Sequence, residues 1–277
     1  MGPLVTTEWL AEALGTPDLV VFDCTYYLPT ERKDAPALFR AARVPGARFF
    51  DIGAIADAET VLPHMVPTAG RFAAMVSALG VSNGSRVVFY DQKGLQSAAR
   101  GWWMMGLFGH DLVAVLDGGL PKWVCEGRPV AEGNADVVEP GTFEPRFRAG
   151  RLRGLGDMMA ADPDRVVLDA RAAARFHGTA PEPRPGLPSG HMPGSVSVPS
   201  TSLLAADGTV LPPAELRALF AAAGVDGTRP VVTSCGTGVT ATILSLGLVL
   251  AGLPQGAVYD GSWTEWAGRA DTIKEVT

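Results

Sequence analysis

One cysteine lies in a setting suited to nucleophilic chemistry. Cys235 directly follows the strand-like run 230–234. The five residues after it form a predicted loop: Gly236, Thr237, Gly238, Val239 and Thr240. Glycines let such a loop turn several backbone N–H groups inward, and a helix expected to start near its end adds the positive end of a dipole. Because these groups stabilise the reactive thiolate, Cys235 is predicted to be a nucleophile.

The elements that position this loop occur twice in the chain. Four short matches recur in the same order, with a spacing that drifts by only a few residues. They are 20–23 with 166–169, 45–46 with 193–194, 87–91 with 231–235, and 117–118 with 260–261. An ordered set of this kind indicates two copies of one domain.

Each copy is predicted to be an α/β domain. The β-branched runs 20–22, 87–90 and 113–116 are typical of strands buried on both faces. Helical patterns lie between such runs, as at 71–79 and 215–223. This alternation favours a mostly parallel sheet flanked by helices. We expect domains at 1–135 and 154–277, joined by a linker at 136–153 that lacks periodicity.

Composition excludes several classes of function. The 277-residue chain has a formal net charge of −6, which gives no basic surface for nucleic acid. Its longest apolar run, 241–253, is too short and too interrupted to cross a membrane and predicts a buried helix. The N-terminus has no basic patch followed by an apolar signal core, so a cytoplasmic location is expected. A small-molecule or protein partner is therefore predicted.

The remaining thiols and the first copy have weaker claims to chemistry. Three cysteines are present, with no pair at metal-ligand or redox-motif spacing, so no metal is expected. Cys24 closes a predicted strand and Cys125 lies beside Trp123, which favours structural roles. At the position equivalent to Cys235 the first copy has Asp91, so that domain is predicted to be catalytically inactive.

These residues together resemble the tandem-rhodanese sulfurtransferases, and among them the 3-mercaptopyruvate sulfurtransferases. The resemblance spans nearly the whole chain, and the ordered set is more specific than any one piece. The matching segments are 235–241, 169–171 with 175–176, 182–184, 190–195, 259–263, 100–103 and 116–120.

The resemblance implies a chemistry and a set of ligand contacts. Cys235 would attack the sulfur of 3-mercaptopyruvate, release pyruvate and carry a persulfide to a thiol acceptor such as thioredoxin. No cofactor is implied, and a monomer is expected. The loop from Gly236 to Thr240 carries no charge, so Arg175 and Arg184, at the family's arginine positions, are expected to bind the donor's carboxylate.

Proton handling departs from the family pattern. Thr237 keeps a hydroxyl where the family has a serine, and His64 matches the family's histidine. The aspartate that would complete a triad is replaced by Gly53, which leaves only Asp51 nearby in sequence. His64 is therefore expected to be a less well-positioned acid or base. By the same resemblance, Arg171 and His191 are expected to be structural.

Three other functions would use parts of the same residue set. Thiosulfate sulfurtransferase activity is the main alternative, although thiosulfate-using members carry a basic residue in the loop. A phosphatase would need an arginine six positions after the cysteine, where this sequence has Ala241. A non-enzymatic sulfur-carrier module would fit the Asp91 copy better than the intact loop around Cys235.

Overall fold

The computed structural model describes the whole chain, residues 1–277, which folds as two compact units. Unit 1 consists of Met1–Ala58, Val66–Arg148 and Ala206–Val210. Unit 2 consists of Glu59–Met65, Ala149–Ala205 and Leu211–Thr277. Each unit therefore contains one short segment from the other half of the sequence.

Unit 1 is built on a five-stranded parallel sheet in the order β1-β5-β4-β2-β3. Its strands are β1 (Leu4–Val5), β2 (Leu19–Asp23), β3 (Arg48–Phe49), β4 (Arg86–Tyr90) and β5 (Val113–Leu116). Its helices are α1 (Thr7–Ala13), α2 (Ala35–Ala41), α3 (Ile52–Ile55), α4 (Ala69–Ala78), α5 (Ala98–Leu107) and α6 (Gly119–Cys125). A 3₁₀ turn spans Pro29–Glu31.

Unit 2 repeats this topology with the strand order β6-β10-β9-β7-β8, again all parallel. Its strands are β6 (Leu152–Arg153), β7 (Val166–Asp169), β8 (Ser195–Ser197), β9 (Val231–Ser234) and β10 (Ala257–Tyr259). Its helices are α7 (Leu155–Met159), α8 (Ala173–Phe176), α9 (Pro213–Ala222), α10 (Ala241–Leu250) and α11 (Ser262–Ala267). Further 3₁₀ turns span Ala149–Arg151 and Ser200–Leu203.

Large buried side chains fill both cores. The central strands β4, β5, β7 and β9 are buried along most of their length, as their apolar runs predict. Most buried indole N–H groups donate to a hydrogen-bond partner. Trp123 finds one in the carbonyl of Pro129 at 2.8 Å, and Trp263 finds one in the carbonyl of Pro188 at 2.9 Å.

The predicted buried helix at 241–253 forms as α10. Its residues from Ala241 to Leu248 are all buried. Its polar side chains are satisfied locally, because Thr242 Oγ1 donates to the carbonyl of Val239 at 2.6 Å and Ser245 Oγ lies 3.2 Å from Thr233 Oγ1. No helix of the protein is long and apolar enough to span a bilayer.

The segment 136–153, expected to be a linker, has residues in both units. Phe143 is buried and packs edge-on against Phe72, while the amides of Gly141 and Arg146 donate to main-chain carbonyls of unit 1. From residue 149 onwards the chain belongs to unit 2, where β6 pairs with β10. Backbone hydrogen bonds and a few buried side chains attach this segment to its unit. Because it has no continuous buried face, its sequence shows no hydrophobic periodicity.

Candidate active site

Cys235 lies where β9 ends and the loop to α10 begins. This is the carboxyl edge of a parallel sheet, where α/β proteins place their ligand sites. The residue is a free thiol with 2% of its surface exposed. A group this enclosed is in contact with little water.

The loop has the backbone geometry that its glycines predict. Gly238 adopts a φ of 74°, and its equivalent in unit 1, Gly94, adopts 99°. Thr240, the residue that caps α10, makes no side-chain hydrogen bond to the helix amides. The start of α10 therefore keeps its positive dipole end beside the loop.

His64 reaches the loop of unit 2 from the segment Glu59–Met65. Its Nδ1 lies 3.1 Å from Thr237 Oγ1, and only 8% of the residue is exposed. The backbone of His64 has a φ of 63°, a left-handed conformation that is costly for any residue with a Cβ. The fold thus holds this imidazole in place beside the hydroxyl two residues after Cys235.

Asp51 is committed to a structural task. Its Oδ1 accepts hydrogen bonds from the amides of Gly53 at 2.9 Å and Ala54 at 3.0 Å, so it caps the N-terminus of α3. Gly53 stands at the position of the family's aspartate, and Asp51 is the acidic residue nearest to it in the sequence. The hydrogen bonds of Asp51 go to the start of α3.

Arg175 lies against the nucleophile loop. A Cβ added to Gly236 would be 3.3 Å from Arg175 Nη2, so the guanidinium borders the residue directly after Cys235. The Arg175 side chain is 21% exposed and forms an ion pair with buried Glu182, through Nη2 and through Nε at 3.2 Å. Arg184 is half-buried two residues beyond Glu182.

Glu182 is a carboxylate shared by two arginines, a role that the sequence analysis did not assign. Its Oε1 accepts from Arg171 Nη1 at 2.7 Å, while Oε2 pairs with Arg175. Arg171 is buried and also binds Asp169 at 2.7 Å. Burial disfavours the charged guanidinium, yet the two carboxylates outweigh it and raise the pKa of Arg171. Glu182 therefore links the buried ion pair to the rim of the loop.

A second set of contacts supports the loop from the start of α11; its segment, 259–263, carries the family resemblance, but these bonds were not predicted. Ser262 Oγ accepts a hydrogen bond from the Cys235 amide at 3.1 Å and donates to the Tyr259 carbonyl at 2.7 Å. Trp263 N donates to the Cys235 carbonyl at 2.9 Å. Thr264 donates twice to the Gly236 carbonyl, from N at 3.0 Å and from Oγ1 at 2.7 Å.

The equivalent loop of unit 1 holds a carboxylate instead of a thiol. Asp91 Oδ1 accepts from the Lys93 amide at 2.9 Å. Its Oδ2 accepts from the amides of Gln96, Ser97 and Ala98 at 2.7, 2.8 and 2.9 Å. A loop of this shape therefore surrounds an anion with four amide donors.

His191 and Cys24 have contacts typical of structural residues. His191 is buried, stacks on Phe176 with ring centroids 4.0 Å apart, and has Nδ1 3.0 Å from the Phe176 carbonyl. Cys24 is buried and its Sγ donates to the Ser97 carbonyl at 3.6 Å; burial raises its pKa well above the usual range. Cys125 is exposed.

No cation-binding cluster competes with this site. No group of three or more histidine, cysteine, aspartate or glutamate side chains is placed to hold a metal ion. A cavity of about 660 Å³ in unit 2 is lined by residues such as Arg153, Arg165 and Pro230, at the opposite end of the strands from Cys235. The chemistry of the loop, and not the size of a cavity, therefore marks the candidate site.

Comparison with known proteins agrees with the geometry. The model of the rhodanese-like domain matches twice, over residues 6–126 and 154–269. The chain therefore belongs to the rhodanese-like family, with two such domains in tandem.

Individual relatives are similar over almost the full length. The chain is 41% identical to the 3-mercaptopyruvate sulfurtransferase of Homo sapiens, across 98% of this chain and 95% of the human one. It is also 41% identical to the thiosulfate sulfurtransferase of Bos taurus, across 96% and 92%. The crystal structure of SseA from Escherichia coli, described as a 3-mercaptopyruvate sulfotransferase, superposes with a TM-score of 0.86 at 33% identity, across 95% and 99%. The predicted family and tandem α/β fold are confirmed.

Proposed function

We propose that this protein is a 3-mercaptopyruvate sulfurtransferase with Cys235 as its nucleophile. The observation that carries the proposal is the enclosed Cys235 thiol, in a glycine loop bordered by Arg175 and by the His64–Thr237 pair. The Cys235 thiolate attacks the donor sulfur and a sulfur–sulfur bond forms. The sulfur–carbon bond breaks, and its electron pair leaves as the enolate of pyruvate.

The second half of the cycle returns the thiolate. The enolate carbon takes up a proton and pyruvate departs. The outer sulfur of the Cys235 persulfide is then attacked by an acceptor thiol, such as that of thioredoxin, and leaves bonded to it. His64 and Thr237, 3.1 Å apart, are the proposed pair that moves the proton, and a histidine–hydroxyl pair suits this task.

The loop of unit 1 supports the idea that the loop of unit 2 stabilises sulfur anions. Four amides surround the Asp91 carboxylate there, and Cys235 occupies the equivalent position. In the proposed mechanism the thiolate and the persulfide anion are stabilised by backbone amides of the unit 2 loop, those of Gly236, Gly238, Val239 and Thr240, together with the dipole of α10.

Charge balance favours mercaptopyruvate, which has one carboxylate, over dianionic thiosulfate. The loop itself is uncharged, and the two positive charges of Arg171 and Arg175 are matched by Asp169 and Glu182. Such a cluster offers directed N–H donors more than net positive charge. Arg175, with Arg184 as its proposed partner, would hold the donor's carboxylate and keto oxygen.

A steady-state comparison tests the donor. We expect a higher kcat/KM with mercaptopyruvate than with thiosulfate when the same acceptor is used. The bovine relative, a thiosulfate sulfurtransferase, makes thiosulfate the second candidate, and a higher kcat/KM with thiosulfate would favour it. Cys235→Ser should abolish turnover with either donor.

Mass spectrometry tests the intermediate. Mixing with mercaptopyruvate should add the mass of one sulfur atom to the Cys235 peptide as pyruvate appears. Pyruvate release without that label would exclude the persulfide, and a stable label with no transfer to thiols would favour a carrier role. A monomeric state and a cytoplasmic location stay predictions, for light scattering and cell fractionation to check.

A further inference from the structure

The Asp91 loop of unit 1 and the Cys235 loop of unit 2 are supported by different hydrogen bonds. The difference matches the residue that each loop contains, a carboxylate or a thiol. The match of Asp117-Gly118 with Asp260-Gly261 makes residues 119–121 equivalent to residues 262–264. We define the loop brace as the three residues Ser262, Trp263 and Thr264.

One contact of the brace is common to both units. Trp263 N donates to the Cys235 carbonyl at 2.9 Å, and Leu120 N donates to the Asp91 carbonyl at 3.0 Å. This main-chain bond needs no particular side chain. It is therefore a property of the fold and not of the reaction.

The other contacts exist only because unit 2 has different residues. Gly119, equivalent to Ser262, has no hydroxyl for the amide of the nucleophile position. Pro121, equivalent to Thr264, has neither an N–H nor a hydroxyl to donate. Unit 2 thus fixes the Cys235 amide and the Gly236 carbonyl with groups that unit 1 lacks.

Ser262 occupies a backbone conformation that favours glycine. Its φ is 50°, and that of Gly119 is 56°. At Gly119 an added Cβ would approach the Asp91 carbonyl oxygen to 2.5 Å, so only glycine fits there. A serine in the left-handed region is strained. The hydrogen bond of its hydroxyl to the Cys235 amide gives a reason for serine at this position.

We propose that Ser262, supported by Thr264, is a positioning residue for Cys235. Its hydroxyl ties the Cys235 amide to the Tyr259 carbonyl, and this fixes the backbone from which the Cys235 side chain projects. The thiol then enters the reaction already aligned. This inference rests on Cys235 being the nucleophile of the proposed function.

The test compares three variants with a matched control. Ser262→Ala removes the hydroxyl, Ser262→Gly also relieves the backbone, and Thr264→Val removes one of the two donors to Gly236. Ser245→Ala is the control, because it deletes a buried serine hydroxyl that bonds to Thr233, away from the loop.

We expect a separation of kcat from KM and from stability. Both Ser262 variants should lose about tenfold or more in kcat while KM for mercaptopyruvate stays within about twofold, because donor-binding groups are untouched. Alkylation of Cys235 by iodoacetamide should slow in parallel. Ser262→Gly should melt at a higher temperature than Ser262→Ala yet be equally slow, and Thr264→Val should show a smaller loss of kcat.

The same measurements can overturn the inference. A Ser262→Gly enzyme with kcat within about twofold of the wild type would refute it, as would a kcat loss in Ser245→Ala equal to that in Ser262→Ala. A rise in KM at unchanged kcat would refute it too. Cys235→Ser separates the two proposals: turnover retained in that variant would refute the proposed function itself.

Discussion

At the scale of single residues, the site combines a thiol of very low exposure with polar groups held in constrained positions. His64 lies in a left-handed conformation, and its Nδ1 is directed to Thr237. Arg175 is held against Gly236 by its ion pair with Glu182. In the proposed mechanism a reactant would meet groups that need little rearrangement, which lowers the entropic part of a barrier.

Replacing His64 should slow the reaction without abolishing it. The sequence lacks the family's aspartate, so we expect His64→Ala and His64→Asn to lower kcat by about tenfold to a hundredfold. Asn tolerates the left-handed backbone better, which separates the lost imidazole from a shift of the segment. Steady-state kinetics with mercaptopyruvate give the measurement.

A surface histidine provides the control for His64. His177 Nδ1 lies 2.7 Å from Thr277 Oγ1, so His177→Ala removes another histidine–threonine pair from the same unit. Its kcat should be unchanged. A loss in His64→Ala as large as that in Cys235→Ser would show that His64 is indispensable.

Replacing Arg175 by lysine should affect binding more than chemistry. Lysine keeps the charge but loses the planar pair of donors, so KM for mercaptopyruvate should rise about tenfold at nearly constant kcat. Arg217→Lys, an exposed arginine on α9, is the control. An unchanged KM with a lowered kcat would contradict the assignment of Arg175 to donor binding.

The sequence predicts some of these residues and misses others for a definite reason. Cys235, Thr237 and the glycines are contiguous, so the loop is visible as a pattern. Glu182 and Ser262 lie in the matching segments 182–184 and 259–263, but their partners are 7 and 27 residues away, and the sequence pattern does not reveal these bonds. The sequence also does not reveal that Asp51 is used to cap α3.

At the scale of elements, the two equivalent strand–loop–helix segments share one arrangement but contain different residues at the key position. The β4 loop holds the Asp91 carboxylate with four amides, and the β9 loop holds Cys235. The predicted strands 87–90 and 113–116 and the helices near 71–79 and 215–223 all form. Their periodicity arises from burial, whereas the segment 136–148 packs without periodicity and was expected to be a linker.

Removing the Asp91 carboxylate should destabilise the protein. In Asp91→Ala four amides lose a charged acceptor, which should lower the free energy of unfolding by about 2–4 kcal/mol. Urea unfolding followed by near-UV circular dichroism measures the change. Asp91→Asn, which keeps an acceptor oxygen, should lose less.

A simpler cap provides the reference for Asp91. Asp34 accepts one amide, that of Ala37, at 3.0 Å, so Asp34→Ala should cost about 1 kcal/mol. If Asp91→Ala were no less stable than Asp34→Ala, the four-amide arrangement would not be a stabilising feature.

At the scale of the whole molecule, the sequence reveals the duplication. It does not reveal that each unit includes a short segment from the other half of the chain. Ordered matches reveal two copies, because both copies keep the same strands. The assignment of 59–65 to unit 2 and 206–210 to unit 1 depends on contacts between distant parts of the chain. Val210 N, for example, donates to Asp117 Oδ1 at 2.9 Å within unit 1.

A cut between Arg148 and Ala149 should therefore not yield a complete catalytic unit. Residues 149–277 contain Cys235 but lack His64, so single-turnover pyruvate release by that folded part should be slower than in the intact protein by at least the factor seen for His64→Ala, about tenfold to a hundredfold. Near-UV circular dichroism checks that the part is folded.

The cut protein with its two parts left together is the control, since it keeps every residue, and it should retain its rate. Full activity of residues 149–277 alone would show that the segment 59–65 is dispensable.

The Asp91 loop affects how many anions one chain can bind. A carboxylate that is part of the chain cannot dissociate, so it occupies its four amides at every concentration of competitor. An anionic inhibitor directed at such loops should bind with a stoichiometry of one per chain although the architecture contains two. The Asp91 loop is always occupied by its own carboxylate. Only the Cys235 loop is therefore expected to take up an anion from solution.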